Sequence, residues 1–189
     1  SGAPRSQFFT RSAKANAPSR SASPFACPRA GRKLYFSGVL PMVNLKEYIA
    51  RERIAFIEAE DKQDALAKLI ALSEDDRLVI DFNQFQNAVL DREYIVTTGI
   101  GQNVAIPHIK SRWVRDFFIT IGIFRNGVEW QSLDEKPVHL AFLIAGPEEH
   151  ERYLRILAKL TLIIRDKEKR KAIIGASSTD EVYMLLENC

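Results

Sequence analysis

Cysteine and histidine are scarce in this chain. Its 189 residues include two cysteines, Cys27 and Cys189, and three histidines. A disulfide framework or a zinc site needs more of these residues at close spacing, so neither is expected, and we predict no metal or cofactor. No base can be placed beside either cysteine, so neither is predicted to act as a nucleophile. This cysteine usage fits a reducing compartment, and we expect a cytoplasmic protein.

Long apolar runs are also missing. No stretch approaches the roughly 18 apolar residues that a membrane-spanning helix requires, so direct insertion into a membrane is not expected. Hydrophobic residues make up 46% of the chain and charged residues 27%. That balance is typical of a globular protein able to bury a core.

Acidic residues are missing from the first 46 positions, where eight lysines and arginines occur without any Asp or Glu. Residues 47–189 contain 19 basic and 24 acidic residues, which is a net charge of −5. The overall charge of +3 therefore comes from the N-terminal segment. Because a nucleic-acid-binding domain carries its basic stripe on a folded surface, we predict no nucleic-acid partner.

The N-terminal segment is rich in Ser, Ala, Pro and Arg and shows no helical or strand period. Such a composition buries too little apolar surface to offset chain entropy, so residues 1–41 are predicted to be a disordered or non-native tail. An organelle transit peptide has the same character. We favour an artefact of cloning or a natural start at Met42, with the folded domain spanning residues 42–189.

From Leu40 onward, helical and strand-like segments alternate and predict an α/β domain. Asp61 has the character of an N-cap for a helix with one apolar face. Asn126 and Gly127 form a strong turn signal between two strand-like runs, so a hairpin is predicted there. The spacing predicts helices over 45–49, 61–72, 81–92, 148–165, 167–174 and 178–186, and strands over 53–57, 104–106, 117–124 and 138–145.

The most unusual stretch reads TTGIGQNVAIPH and ends at His108. Gly99 and Gly101 allow positive φ angles and let another group approach the main chain closely. The apolar VAI segment predicts a buried strand, which Pro107 ends while fixing φ. His108 is therefore expected at the end of a rigid strand, with a defined ring orientation.

Histidine suits reversible phosphoryl transfer, because its ordinary pKa of about 6.5 leaves much of it neutral and nucleophilic at pH 7. The phosphoryl oxygens need donors, and the local candidates are Thr97, Thr98, Arg92 and Lys110. A single histidine after a proline is by itself more often a structural residue, and two glycines without full phosphate-loop spacing are a weak signal. Chemistry alone leaves His108 open between these roles.

A longer pattern favours the phosphoryl role. LDRE at residues 90–93, followed by TTGIGQNVAIPH, resembles the EIIA domain of the bacterial phosphotransferase system, of the mannitol, fructose and nitrogen-regulatory class. The resemblance covers roughly residues 43–186 and includes the segment LRILAKL at 154–160. The family pattern is met by Glu93, Ile100, Gly101, Val104, Ala105, Ile106, Pro107 and His108.

The resemblance implies a single domain with a mixed β-sheet flanked by helices. It implies that His108 is phosphorylated by the small carrier HPr or its nitrogen-branch counterpart. Arg92 matches the arginine expected to neutralise phosphate charge or to meet the donor. Thr98, Gly99 and Gly101 match the turn on the phosphate side.

Three positions depart from the family pattern. Ile109 stands where a small residue is expected after the histidine, and Asn103 replaces a common glycine, which is expected to stiffen the turn or add a hydrogen bond. A second histidine is expected near the start of the long helix, facing the first, and Tyr153 occupies that position. His150 lies three residues earlier on the same helix face, so either residue is a candidate for this role. These departures bear on the transfer rate and the choice of partner.

Our leading hypothesis is a regulatory EIIA protein of the nitrogen type, which binds regulatory targets according to the phosphorylation state of His108. The alternative in the same class is a sugar-specific EIIA protein that passes the phosphoryl group to a cysteine of an EIIB domain. A pure binding module that has lost efficient transfer is a further alternative, motivated by Tyr153 and Ile109. A histidine-dependent hydrolase ranks last, because no nucleophile and orienting carboxylate can be placed. The chain counts as an enzyme, a phosphotransferase, only if transfer takes place.

Overall fold

The computed structural model describes residues 43–187, and the predictions for residues 1–41 and for both cysteines lie outside this range. Within it, six strands form one mixed sheet with α-helices around it, which confirms the predicted fold class. The strands are β1 Ile54–Phe56, β2 Gly99–Gly101, β3 Val104–Ala105, β4 His108–Lys110, β5 Phe118–Val128 and β6 Val138–Gly146. The helices are α1 Lys62–Ala71, α2 Phe82–Ile95, α3 His150–Arg165, α4 Lys167–Gly175 and α5 Thr179–Glu187, with 3₁₀ turns at Leu45–Glu47 and Arg51–Arg53.

The sheet is built around the antiparallel pair β5 and β6. Its strand order is β1-β5-β6-β3-β2, and β4 pairs with β6 as well. β3 and β4 both run parallel to β6 and occupy successive stretches of the same edge. Pro107 lies between them, and its carbonyl accepts a hydrogen bond from the Ile144 amide at 2.9 Å. His108 therefore begins a strand instead of ending one, because the proline interrupts the ladder without turning the chain away from β6.

Helix boundaries follow the local signals in the sequence. The Asp61 carboxylate accepts from the Asp64 amide at 2.9 Å and caps α1, as predicted. Asp81 caps α2 in the same way. Before α5, the Ser178 hydroxyl accepts from the Glu181 amide at 3.2 Å. Short-range capping chemistry thus sets where these helices start.

The predicted hairpin between the two strand-like runs is present, since β5 and β6 pair antiparallel, but its turn does not lie at Asn126 and Gly127. β5 continues to Val128, which pairs with Val138, so residues 129–137 form the connection to β6. The pairing register shifts just before Val128, and Gly127 has a φ of 71°. The dipeptide therefore forms a bulge inside the strand, where it uses the same positive φ that a hairpin turn requires.

Side chains that alternate along the central strands pack into two separate layers. Ile119, Ile121 and Ile123 belong to the buried cluster covered by α3, α4 and α5. Phe118 and Phe124 belong to the cluster covered by α1 and α2. Among residues 43–187, no helix combines the length and apolar character needed to cross a membrane.

Candidate functional site

Both ring nitrogens of His108 are engaged. Nδ1 lies 2.8 Å from the carbonyl oxygen of Ile106, and because a carbonyl only accepts, Nδ1 carries the proton and donates. The lone pair of the neutral ring is then on Nε2, which accepts a hydrogen bond from the Arg92 guanidinium at 3.0 Å. This fixed tautomer makes Nε2 the nucleophilic atom.

The surroundings of His108 favour its neutral form. Burial lowers the pKa of His108 from its ordinary value, and the positive charges of Arg92 and Lys110 lower it further. The hydrogen bond to Ile106 and the charge of Glu93 act in the opposite direction without cancelling this effect. The imidazole is therefore uncharged and nucleophilic at pH 7.

Arg92 lies in the last turn of α2 and is held at two points. One nitrogen of its guanidinium donates to the Val96 carbonyl at 3.1 Å, and another donates to His108. The structure thus brings together the two residues that the sequence predicted to act on the phosphoryl group. A guanidinium can also donate two parallel hydrogen bonds to the oxygens of a phosphate group.

Tyr153, in the first turn of α3, packs its ring against His108. The two ring centroids are 5.9 Å apart and the ring planes are inclined by 40°. Burial raises the pKa of Tyr153, against a lowering effect of Arg92, so the phenol is uncharged at neutral pH. Of the two candidates for the expected second histidine, Tyr153 is the residue whose ring contacts His108.

His150 contacts Lys110. Lys110 lies two residues after His108 on the same face of β4, and its ammonium donates to Nδ1 of His150 at 3.2 Å. The ammonium also lies 5.5 Å from the centroid of the Tyr153 ring. The site therefore has two cations, Arg92 and Lys110, on either side of a neutral aromatic pair.

The two threonines of the predicted phosphate turn donate their hydroxyl hydrogens to the protein. The Thr97 hydroxyl donates to the Trp130 carbonyl at 2.9 Å, and the Thr98 hydroxyl donates to Glu93 at 2.7 Å. A hydroxyl has one hydrogen, so both are engaged in shaping the turn. Their role in phosphate binding stays a prediction.

The two glycines of the turn lie in β2 and pack against the loop between β5 and β6. A Cβ atom on Gly99 would come within 2.6 Å of the Ser132 hydroxyl, and Gly101 has a φ of 85° beside Asp134. The structure explains both glycines by close packing, and their role in phosphate binding also stays a prediction.

Two departures from the family pattern, Ile109 and Asn103, make defined contacts in the structure. Ile109 points to the opposite face of β4 from His108 and packs against the cluster under α1 and α2. Asn103 adopts a φ of 65°, and its side-chain amide donates to the Pro137 carbonyl at 2.9 Å. A larger residue after His108 is thus accommodated, and the expected extra hydrogen bond of the turn is present.

Sequence reasoning missed the buried hydrogen-bond network around Glu93, next to the site. Glu93 is 6% exposed and accepts from the Thr98 amide at 3.0 Å and the Trp130 indole at 3.1 Å. Lys62 pairs with the same carboxylate at 2.7 Å. Lys62 and Trp130 are far from Glu93 in the chain, so no local pattern connects them. The one available signal was the match of Glu93 to the family pattern.

Among residues 43–187, no three His, Cys, Asp or Glu side chains group closely enough to hold a metal ion. What the arrangement offers is a half-buried neutral imidazole whose Nε2 contacts the Arg92 guanidinium, with the charge of Lys110 nearby. Such a site can accept an anionic phosphoryl group and stabilise its charge.

Comparison with known proteins identifies the family. Residues 47–189 match the family model described as phosphoenolpyruvate-dependent sugar phosphotransferase system, EIIA 2. Over 131 residues the chain is 32% identical to the fructose-specific EIIABC component of the phosphotransferase system of Bacillus subtilis strain 168. That alignment covers 69% of this chain and 21% of the Bacillus protein, so the chain spans a minor part of that relative's length.

Two further matches extend over most of the related chain. The nitrogen regulatory protein of Bradyrhizobium diazoefficiens is 27% identical over 136 residues, which cover 69% of this chain and 85% of that protein. The crystal structure of nitrogen regulatory protein IIA-Ntr from Neisseria meningitidis superposes with a TM-score of 0.69 at 26% identity, covering 75% of this chain and 97% of that one. The chain therefore belongs to the EIIA 2 family of the phosphoenolpyruvate-dependent sugar phosphotransferase system.

Proposed function

We propose that this protein accepts a phosphoryl group on Nε2 of His108 from an HPr-type carrier and regulates cytoplasmic partners according to its phosphorylation state. The observation that carries the proposal is the fixed tautomer of His108, whose free nitrogen faces the Arg92 guanidinium at 3.0 Å. Similarity to two nitrogen regulatory proteins over most of their lengths supports the regulatory type.

In the proposed reaction, the Nε2 lone pair attacks phosphorus as the bond between phosphorus and the carrier's imidazole breaks. Nδ1 keeps its proton, and its hydrogen bond to the Ile106 carbonyl offsets the positive charge that the phosphorylated ring gains. The Arg92 guanidinium shifts from Nε2 to the phosphoryl oxygens, which it binds as a fork. Catalysis then consists of positioning and charge stabilisation.

Lys110 supplies the second positive charge in this scheme. Tyr153 is uncharged, so it orients the His108 ring without neutralising phosphate. The Lys110 ammonium already lies beside the Tyr153 ring and leaves His150 for the phosphoryl group when one is present. The pair Arg92 and Lys110 would thus replace the cation that a second histidine provides.

Regulation follows from the charge that phosphorylation adds. A phosphoryl group brings about two negative charges at neutral pH to a surface where Arg92 and Lys110 place positive charge near His108. A partner that fits the unmodified surface is then repelled, and a partner with basic groups is attracted.

Phosphotransfer with purified Enzyme I, an HPr-type carrier and phosphoenolpyruvate tests this proposal. Intact mass should show one acid-labile phosphoryl group on the wild type and on His139→Gln, whose histidine donates to the Phe124 carbonyl outside the site. His108→Ala should remain unlabelled. Labelling of His108→Ala, or no labelling of any of the three proteins, would contradict the proposal, and the second outcome would favour a binding module.

A sugar-specific role is the second candidate, supported by the identity to the fructose-specific EIIABC component. The phosphorylated protein would then pass its phosphoryl group to a cysteine of an EIIB domain. Incubation of the labelled protein with a fructose-type EIIB domain distinguishes the two roles. Rapid loss of label to the EIIB cysteine indicates the sugar branch, and retention of label indicates the regulatory type.

A further inference from the structure

A groove of about 1010 Å³ lies between α1, α2 and the start of the loop after β5. The apolar part of its floor is formed by the partly exposed Ala67 and Leu90, and its rim carries Asp61, Asp91 and Glu129. The volume is at the upper end of the roughly 300–1,000 Å³ found for small-ligand pockets. An apolar channel between two helices is the shape that accepts a third helix.

The rim of the groove has unbalanced negative charge. Asp61, Asp91 and Glu129 are exposed, and none of them forms an ion pair with another residue among 43–187. Lys62 also lines the groove, but its ammonium is paired with the buried Glu93 at 2.7 Å. Three carboxylates around an apolar floor complement a segment that has apolar side chains on one face and cations at its borders.

Exposed apolar side chains continue from the rim of the groove. Tyr94 lines the groove and is 94% exposed, and the adjacent Ile95 is 74% exposed. Aromatic residues are among those that contribute most to protein interfaces, and a contiguous exposed apolar patch marks an interaction site. This observation is independent of the charge on the rim and indicates a protein partner.

The groove and the His108 site lie on opposite sides of α2. Successive helix residues are about 100° apart, so Arg92 points away from the direction shared by Leu90 and Tyr94. Arg92 contacts His108, whereas Leu90 and Tyr94 line the groove. The groove therefore opens on the side of α2 away from the contact between Arg92 and His108.

We propose that this groove is a second docking surface, which binds a basic amphipathic helix of a partner protein while the carrier occupies the His108 site. The partner's apolar face would contact Ala67, Leu90 and Tyr94, and its Lys or Arg residues would pair with the three rim carboxylates. That the partner is a regulated target rests on the proposed function, whereas the docking itself does not.

A fluorescently labelled Leu/Lys amphipathic peptide of about 15 residues, which spans roughly 22 Å as a helix, is the probe. Anisotropy titrations use the full chain at low ionic strength. The variant Asp61→Asn/Asp91→Asn/Glu129→Gln should weaken binding about tenfold, and Tyr94→Ala should weaken it to a similar degree. The matched control Glu52→Gln/Glu74→Gln/Asp75→Asn removes the same charge from exposed positions away from the groove and should stay within about twofold of wild type.

Equal weakening by the two triple variants would show general attraction to an acidic protein and overturn the proposal, as would the absence of saturable binding. A fall in phosphotransfer from HPr at saturating peptide would overturn simultaneous docking. His108→Ala should bind the peptide as the wild type does. Peptide binding by His108→Ala separates failure of the docking surface from failure of the phosphoryl-acceptor role.

Discussion

At the scale of single residues, Arg92 has two effects on His108 that favour the same outcome. Together with burial, its positive charge lowers the pKa of His108 and favours the neutral ring, and its N–H group contacts Nε2, the proposed acceptor atom. The first effect favours the neutral, nucleophilic imidazole, and the second would favour the phosphorylated product. These two effects together give a physical reason for an arginine in contact with His108.

This pairing predicts the titration of His108. NMR should give a pKa below the ordinary 6.5 or so, because burial and the two cations disfavour the charged ring. Arg92→Gln should raise that pKa, because one of the lowering charges is gone, and should reduce the phosphotransfer rate roughly 100-fold by removing a donor to the phosphoryl group. Arg92→Lys keeps the charge and serves as the control for the pKa effect.

The same shift has a consequence for stability. Because the pKa of His108 is lower in the folded state, the folded state binds fewer protons than the unfolded state below about pH 6.5. The contribution of His108 to the free energy of unfolding is therefore fully present above that pH. It is lost as the pH falls toward the lowered pKa of the folded state. A folded-state pKa at or above the ordinary value would contradict this account.

The sequence predicted some site residues better than others, for physical reasons. His108 and Arg92 lie within one continuous segment, so the resemblance of that segment to the family pattern was enough to select them as candidates. Lys62 and Trp130 meet at Glu93 only after α1, α2 and the loop after β5 have packed. Such a contact leaves no local pattern in the chain.

At the scale of elements, the junction of β4 with the end of β6 positions the site. Gly146 pairs with Lys110, and its carbonyl accepts from the Ser111 amide at 2.8 Å. A Cβ atom at Gly146 would overlap the ring of Phe117, which is itself buried. The packing of the Phe117 ring against the end of β6 therefore requires glycine at this position.

Two glycine-to-alanine substitutions test whether close packing, as opposed to the general preference for alanine over glycine, determines the change in the free energy of unfolding. Gly146→Ala should reduce the free energy of unfolding by about 2–3 kcal/mol, because it overpacks the core. Gly175→Ala places a Cβ at the end of α4 with nothing within 4 Å. It should be neutral or stabilise by up to about 1 kcal/mol. Urea denaturation of both variants measures the difference, and equal effects would contradict the packing argument.

The error at Asn126 and Gly127 belongs to this scale too. A positive φ is needed both for a two-residue hairpin turn and for a bulge within a strand, so the dipeptide alone does not distinguish them. The pairing of Val128 with Val138 decides for the bulge. By contrast, the caps at Asp61 and Asp81 depend on neighbours three residues away and were predictable.

At the scale of the whole molecule, the central strands connect both buried layers. Ile121 of β5 belongs to one cluster and Phe118 of the same strand to the other. Neither layer can lose its packing without disturbing the strand that supports the other. The two layers should therefore unfold together.

Equilibrium unfolding in urea tests this expectation with two probes. Trp113 and Trp130 both lie in the layer under α1 and α2, so their fluorescence reports on that side. Far-ultraviolet circular dichroism also follows α3, α4 and α5. We expect coincident transitions with one midpoint. Separate midpoints would show that the layers unfold independently.

The central claim concerns one atom, Nε2 of His108, and NMR of the phosphorylated, ¹⁵N-labelled protein tests it most directly. Coupling between phosphorus and the ring nitrogen identifies the bonded atom. The account predicts one phosphoryl group per chain, on Nε2 of His108, with Nδ1 still protonated and bonded to the Ile106 carbonyl. A phosphoryl group on Nδ1, or on any other residue, would contradict it.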